Sequence, residues 1–216
     1  MDLGLPIVGA AVFGYLLGSV PFAVIVSRAF GLADPRTVGS GNPGATNVLR
    51  TGNKKAAVLT LIGDALKGAL AMWIVSAIVS PAGSSAVLSV GAGDTPLLIA
   101  VAGVSAFLGH VFPFTLGFKG GKGVATALGV LLMFSPALGG MVLGVWFLTV
   151  AASRYSSLGA LVAALASPII AWWFLADPIV TTAAGLMSAV LIIRHKTNIK
   201  NLLAGTEARL GAKKAS

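Results

Sequence analysis

Residues 123–152 read "GVATALGVLLMFSPALGGMVLGVWFLTVAA", an uncharged apolar run followed almost at once by Arg154. The path of this run decides the topology of the whole chain. If it crosses a membrane once, Arg154 and the basic C-terminal stretch lie outside. If it folds back near "FSPALGG", where Pro136, Gly139 and Gly140 suit a turn, both return to the cytoplasm. The hairpin is the preferred reading, because Lys and Arg concentrate on the cytoplasmic side of membrane proteins. Each arm then has about 14 residues, or about 21 Å at 1.5 Å per residue. That is short of the hydrocarbon core of about 30 Å. Short arms imply local thinning of the bilayer or burial among other helices.

The rest of the chain supports a membrane setting. Of its 216 residues 56% are hydrophobic and 10% charged, whereas soluble domains carry roughly 25% charged residues. Further apolar runs cover about 3–27, 56–80, 95–118, 157–176 and 178–193, lengths suited to spanning helices. Arg28, Arg36, Arg50, Lys54 and Lys55 follow the first run, and Lys119 and Lys122 the third. Arg194, Lys196, Lys200, Arg209, Lys213 and Lys214 follow the last. The remaining gaps hold only acids, Asp2, Asp94 and Asp177, or no charge. The basic gaps are therefore assigned to the cytoplasm and the acidic ones to the exterior. The expected fold is all-α: a polytopic membrane protein with seven transmembrane helices, two of them short, the N-terminus outside and the C-terminus cytoplasmic. Residues 1–216 are read as one domain. The first stretch lacks the positive n-region of a signal peptide and reads as a retained helix. No internal repeat is evident, and most of the 28 glycines suit close helix packing. The net charge of +9 is thus a topological signal, and no nucleic-acid partner is expected.

Four polar stretches fall on the cytoplasmic side: "GSGNPGATNVLR" (39–50), "GHVFPFTLGFKGGKGVAT" (109–126), "RYSSLGAL" (154–161) and "RHKTNIKNLLAGTE" (194–207). The first contains G-x-G-x-x-G, and Asp64 lies 20 residues after Gly44, a dinucleotide-like spacing. Such a site needs a strand–loop–helix unit, however, and membrane helices flank this loop. What survives is anion binding. Glycines let backbone N–H groups approach a phosphate. Ser40, Asn42, Thr46 and Asn47 offer neutral donors and Arg50 a planar cation. The alternative is a flexible loop whose arginine only sets topology.

"FKGGKG" departs from a Walker A loop, because Gly123 follows Lys122 where Ser or Thr is required. Lys119 and Lys122 around Gly120 and Gly121 form a phosphate cradle, with the next helix aiming its N-terminus at the anion. The alternative is again a pair of topology-setting lysines. Ser156 and Ser157 beside Arg154 either bind an anion or cap the following helix. His195 and Asn198 share a helical face if the helix continues. His195 then serves as a general base or hydrogen-bond donor, or is simply solvated. His110 is assigned a structural role. Asp64 and Lys67, at i and i+3 inside an apolar run, are read as a structural ion pair.

Several chemistries are disfavoured. Two histidines and no cysteines argue against zinc, and neither metal nor cofactor is expected. G-x-S-x-G is absent. So is the H-x-x-x-x-D box of acyl-CoA-dependent glycerolipid acyltransferases, since Thr115 and Lys200 stand at the Asp positions.

Together these stretches resemble the bacterial acyl-phosphate:glycerol-3-phosphate acyltransferase family of the PlsY type. The resemblance spans nearly the whole chain, and its first two motifs are long and specific. It implies a seven-helix enzyme of the bacterial cytoplasmic (inner) membrane, with its active site facing the cytoplasm. Such an enzyme transfers an acyl group from acyl phosphate to the 1-hydroxyl of glycerol 3-phosphate. The products are lysophosphatidic acid and phosphate, the first step of phospholipid synthesis. By the same resemblance, Ser40, Asn42, Gly44, Thr46, Asn47 and Arg50 bind one phosphate. Lys119, Gly120, Gly121, Lys122, Ser156 and Ser157 bind the other, and His195 and Asn198 orient glycerol 3-phosphate. Arg50, Lys122, His195 and Asn198 are the expected catalytic set. Membrane lipids, and the enzyme that makes acyl phosphate, are the expected partners. The competing readings are an organic-phosphate or other anion transporter, which needs polar residues leading across the membrane, and a non-catalytic lipid-binding protein.

Overall fold

The computed structural model describes residues 4–79 and 95–211. Asp2, Asp94, Lys213 and Lys214, used above to set topology, lie outside the described residues. Every regular element among the described residues is helical. The chain divides into two compact units, 1–139 and 140–216.

The first unit holds α1 (Gly4–Gly18), α2 (Phe22–Ala29), α3 (Ala45–Leu49), α4 (Lys54–Val79), α5 (Thr95–Val111), a 3-10 turn (Phe114–Leu116) and α6 (Val124–Phe134). Small residues let the helix backbones touch. A methyl group added at Gly18 would lie 2.6 Å from the Cα of Ala106, and one at Gly68 2.8 Å from the Thr126 carbonyl. Those contacts join α1 to α5 and α4 to α6, as close packing between membrane helices requires.

The first apolar run, read as one helix, is broken at 19–21 into α1 and α2. Pro21 has no N–H to continue the ladder. The carbonyls exposed by the break are recaptured from other helices. Thr115 Oγ1 donates to the Ser19 carbonyl at 2.7 Å, and Lys67 Nζ to the Val20 carbonyl at 2.9 Å. Without water, such backbone groups are costly unless satisfied this way.

The run at 123–152 is interrupted by a tight turn. α6 ends at Phe134, Ser135 is extended (φ −160°), and a second helix, α7 (Pro136–Ser153), begins at proline, a residue favoured in the first helical position. A methyl group at Gly139 would sit 2.7 Å from the Cα of Leu132. In a continuous helix residues seven apart are separated by about 10.5 Å. The arms are unequal, 11 and 18 residues. Gly139 and Gly140 also lie inside α7, so Ser135 makes the turn and Gly139 supplies the room for it.

α7 continues into the second unit, which contains α8 (Ser156–Leu175), α9 (Pro178–Arg194) and α10 (Lys196–Leu203). α9 starts with a full N-cap, Asp177 accepting from the N–H groups of Ile179 and Val180 at 2.8 and 2.9 Å. Its carboxylate thus has a structural task besides any topological one. Ser167 of α8 meets Ser188 of α9 at 3.0 Å, joining the two helices through hydroxyls. α9 and α10 are bent by 60° at His195.

Among the described residues five helical stretches are long and apolar enough to cross a membrane: 4–29, 54–79, 95–116, 136–153 and 156–175. A sixth is reached if bent α9–α10 is one span, and α6 is apolar but shorter. Large apolar side chains point outward along these helices, among them Trp173, 83% exposed, and Ile78, 75% exposed. Exposed apolar surface on this scale suits lipid contact.

Candidate active site

In the first unit the 39–50 motif is organised around one side chain. Asn47 is buried, at 2% exposure. Its Oδ1 accepts from the Ser40 N–H at 3.1 Å, and its Nδ2 donates to the carbonyls of Pro35 and Val38 at 2.6 and 3.0 Å. Gly39 must be glycine, since its φ is +57° and an added methyl would meet Asn47 and, at 3.3 Å, the Arg50 Cδ. Arg50 therefore lies against the Gly39–Ser40 corner. Ser40, Thr46 and Arg50 are exposed, and Asn42 and Gly44 half-buried.

These contacts occupy the backbone N–H groups that the sequence offered to an anion. The Gly41 N–H goes to the Val38 carbonyl and the Gly44 N–H to that of Asn42, with Ser40 N–H already on Asn47. The glycines shape the loop, and Asn47 holds it. Side chains, namely Ser40, Asn42, Thr46 and Arg50, are what it presents outward.

Just upstream, Asp34 pairs with Arg36 through Nη2 and Oδ2 at 2.6 Å. The hydrogen bonds from Arg36 hold the Asp34 carboxyl down at about 2.

"FKGGKG" follows the same logic. Gly120 N–H donates to the Val111 carbonyl at 3.2 Å and Gly121 N–H to that of His110 at 3.1 Å, capping the C-terminus of α5. A methyl on Gly121 would collide with the His110 ring, its Cε1 lying 2.8 Å away. Gly123 (φ +87°) likewise abuts Phe107. Packing demands these glycines, so they are no evidence for a backbone cradle. What the segment turns outward is the side chains of exposed Lys119 and half-buried Lys122.

Beneath both loops lies a buried polar cluster. Lys67 Nζ is 2.9 Å and His110 Nδ1 3.3 Å from Asp64 Oδ1. Thr126 Oγ1 donates to the Asp64 carbonyl at 2.8 Å. The Asp64–Lys67 pair was legible from spacing. The approach of His110, 46 positions after Asp64, was not. Asp64, Lys67, His110, Gly120, Gly121 and Pro43 line one recess, so both motifs border it.

In the second unit the 154–157 corner is bound to the chain after α10. Ser157 Oγ and Asn198 Nδ2 each donate to Glu207 Oε1 at 2.6 Å. The Leu210 N–H donates to the Arg154 carbonyl at 2.8 Å, Arg154 Nη2 donates to the Leu210 carbonyl at 3.2 Å, and Arg209 Nε donates to Tyr155 Oη at 3.0 Å. A Schellman turn returns the chain: Gly205 (φ +69°) and Thr206 donate to the Leu202 and Asn201 carbonyls. Ser157 therefore bridges to Glu207 instead of capping α8. No side chain caps that helix; Tyr155 is its N-cap residue, with Ser156 the first residue inside.

His195 is the hinge of the α9–α10 bend, so it and Asn198 do not share one continuous helical face. It is buried, not solvated, and its Nδ1 lies 2.8 Å from the Leu191 carbonyl. A carbonyl only accepts, so the Nδ1 proton is fixed on that side. Glu207, which joins Ser157 to Asn198, escaped the sequence reading. Its signal was faint: the only acid in a strongly basic stretch.

The fold and these sites define an integral membrane protein whose loops present Arg, Lys, Ser and Asn side chains suited to phosphate. Comparison with known proteins narrows the class. The glycerol-3-phosphate acyltransferase family model matches residues 8–205, and the chain belongs to that family. The chain is 50% identical over 210 residues to the glycerol-3-phosphate acyltransferase of Laribacter hongkongensis, covering 97% of this chain and 98% of the relative. It is 53% identical over 205 residues to that of Ralstonia nicotianae, covering 94% of each. It also superposes on two crystal structures of PlsY, an integral membrane glycerol 3-phosphate acyltransferase. The glycerol 3-phosphate form gives a TM-score of 0.83 at 36% identity, covering 95% of this chain and 96% of that one. The lysophosphatidic acid form gives 0.81 at 35%, covering 95% of each.

Proposed function

We propose that this protein transfers a fatty acyl group from acyl phosphate to the 1-hydroxyl of glycerol 3-phosphate, releasing lysophosphatidic acid and inorganic phosphate. The observation that carries the acceptor is membership of the family across residues 8–205, joined to the likeness to a PlsY structure in a glycerol 3-phosphate form. The absence of an H-x-x-x-x-D box supports a donor other than acyl-CoA.

Both substrates are phosphates, and both units offer side chains for them. In the first unit Ser40, Asn42, Thr46 and Arg50 form one ligand set, and Lys119 and Lys122 another. Gly44, Asn47, Gly120 and Gly121 act by shaping those loops. In the second unit Ser156, Ser157, His195 and Asn198 are assigned to substrate, with Glu207 fixing Ser157 and Asn198. The acceptor hydroxyl oxygen attacks the acyl carbonyl carbon, and the bond from that carbon to the phosphate oxygen breaks. The departing phosphate takes the hydroxyl proton, so no protein nucleophile is required. The chain contributes orientation and stabilisation of charge.

The same reading gives seven crossings, with α6 as the one short arm, the N-terminus outside and the loops 39–50 and 119–123 in the cytoplasm. Cysteine labelling that found position 154 outside would reverse this topology.

The test offers purified protein glycerol 3-phosphate with acyl phosphate or acyl-CoA separately. Acyl transfer from acyl phosphate alone is expected; transfer from acyl-CoA alone contradicts the proposal. Arg50→Ala, Lys122→Ala and His195→Ala should each lower the rate by about 10²-fold or more while the protein still inserts. Full activity in all three would remove the site assignment. A covalent acyl-enzyme trapped during turnover would overturn the direct-transfer mechanism.

A further inference from the structure

A buried charge cluster inside a membrane protein is expensive, and the proposed chemistry gives this one no task. Asp64, Lys67 and His110 are each 7% exposed or less. Three features give the cluster a direction. Lys67 holds the Val20 carbonyl at the break between α1 and α2. Asp64 joins Lys67 to His110 through a single oxygen. On its far side the His110 ring points its Nε2 edge at Gly121, leaving no room for a β-carbon, while the His110 and Val111 carbonyls receive the N–H groups of Gly121 and Gly120. Segment 119–123 is thus seated on His110 by backbone and by ring, and His110 is seated on Asp64.

We propose that His110, wedged between Asp64 and Gly121, is a positioning residue that sets the height and direction of segment 119–123, so that Lys119 and Lys122 meet a phosphate of the substrate. His110 never touches substrate; it acts through the loop. Asp64 and Lys67 are its footing, and the glycine at 121 is required by the histidine ring. The proposal rests on the reading of Lys119 and Lys122 as phosphate ligands.

The two explanations of Gly121 separate in a double-mutant cycle. If the glycine serves the imidazole, removing the imidazole removes the need for glycine. If it serves close approach of backbone to an anion, Gly121→Ala is damaging whatever stands at 110. His110→Asn is the partner of choice, because its Nδ2 occupies the place of the imidazole Nδ1 and keeps a donor for Asp64 while vacating the space beside Gly121. Activity, KM for each of the two phosphate substrates and thermal unfolding are measured in micelles for the native protein, G121A, H110N and the double variant.

The expected result is that G121A raises KM for one of the two substrates by about tenfold or more, or lowers kcat/KM by up to about 10²-fold, as misplacement of a binding group by about 1 Å does. The other KM stays near native, and the crowding against the imidazole lowers the unfolding midpoint only modestly. H110N lowers kcat/KM in the same direction, and adding G121A to it costs less than about threefold, the two changes being coupled through one contact. An equal cost of G121A in both backgrounds overturns the proposal, as does native kcat/KM in H110N. If H110N does not fold, G121A alone decides: a KM raised for one substrate supports positioning, and a lowered midpoint with both KM values native contradicts it. An inactive native protein would instead refute the assigned activity, a distinct result.

Discussion

Lys67→Met probes the cluster most sharply, because methionine keeps an unbranched apolar stem and removes the ammonium group and its bonds. In the native protein Lys67 Nζ lies 2.9 Å from Asp64 Oδ1 and 2.9 Å from the Val20 carbonyl, with 2% of the residue exposed. Its loss leaves a buried carboxylate with His110 as its remaining ionisable neighbour, and a broken-helix carbonyl without its donor. Removing one partner of a buried ion pair costs about 3–5 kcal/mol. At about 1.4 kcal/mol per factor of ten, that is a 10²- to several-10³-fold shift toward the unfolded state. The assay is reversible unfolding in micelles, followed by helix signal. The double variant Asp64→Leu/Lys67→Met is the control, since it removes both charges and should be less destabilised than Lys67→Met alone. A single-variant cost below about 1 kcal/mol, the range of exposed pairs, would refute the claim that this pair is desolvated and holds the break. A double variant much worse than the single would show that the two charges do not act as a pair.

Other outcomes follow from the same contacts. Glu207→Ala should release the segment after α10 and lower acyl transfer, while Glu207→Gln, which keeps an acceptor for Ser157 and Asn198, should retain more of both. The hydrogen bonds at stake are charge-assisted, each worth about 1.5–3 kcal/mol, and protease sensitivity after residue 203 reads the difference. Asn47→Ala removes three bonds that hold residues 35–40, at a local cost of roughly 2–4 kcal/mol from the usual value per bond. Faster hydrogen exchange in that loop and a raised substrate KM are expected. The Asp34–Arg36 pair stabilises its turn above the ordinary carboxylate value of 3.8 and loses that stabilisation as pH falls toward about 2. Both side chains are partly exposed, so the effect stays below about 1 kcal/mol; Asp34→Asn should abolish the pH dependence of exchange in this turn between pH 4 and 2.

Periodicity and charge made the helical membrane class legible, and even the turn inside 123–152, because topology leaves a parity to be balanced. They could not locate the break at 19–21: the run stays apolar through Pro21, and what stabilises the break comes from Lys67 and Thr115, far along the chain. Residue type pointed to phosphate, and Arg50, Lys119 and Lys122 stand at loops as composition suggested. It misjudged what the glycines do. Gly120 and Gly121 look like anion-binding residues in one dimension, whereas their N–H groups cap α5 and their missing side chains make room for His110. Asn47 looked like a ligand and is a brace. Glu207 looked like tail and joins Ser157 to Asn198. In each case the deciding partner lies across a turn or on another helix, which spacing along the chain does not encode.

The donor is the centre of the account, and one stoichiometry tests it. Purified protein is given acyl phosphate and glycerol 3-phosphate with no coenzyme A present, and inorganic phosphate and lysophosphatidic acid are counted together. The account predicts one phosphate released for each lysophosphatidic acid formed, with release dependent on glycerol 3-phosphate. Phosphate release without lysophosphatidic acid, or lysophosphatidic acid only when acyl-CoA is supplied, would contradict it.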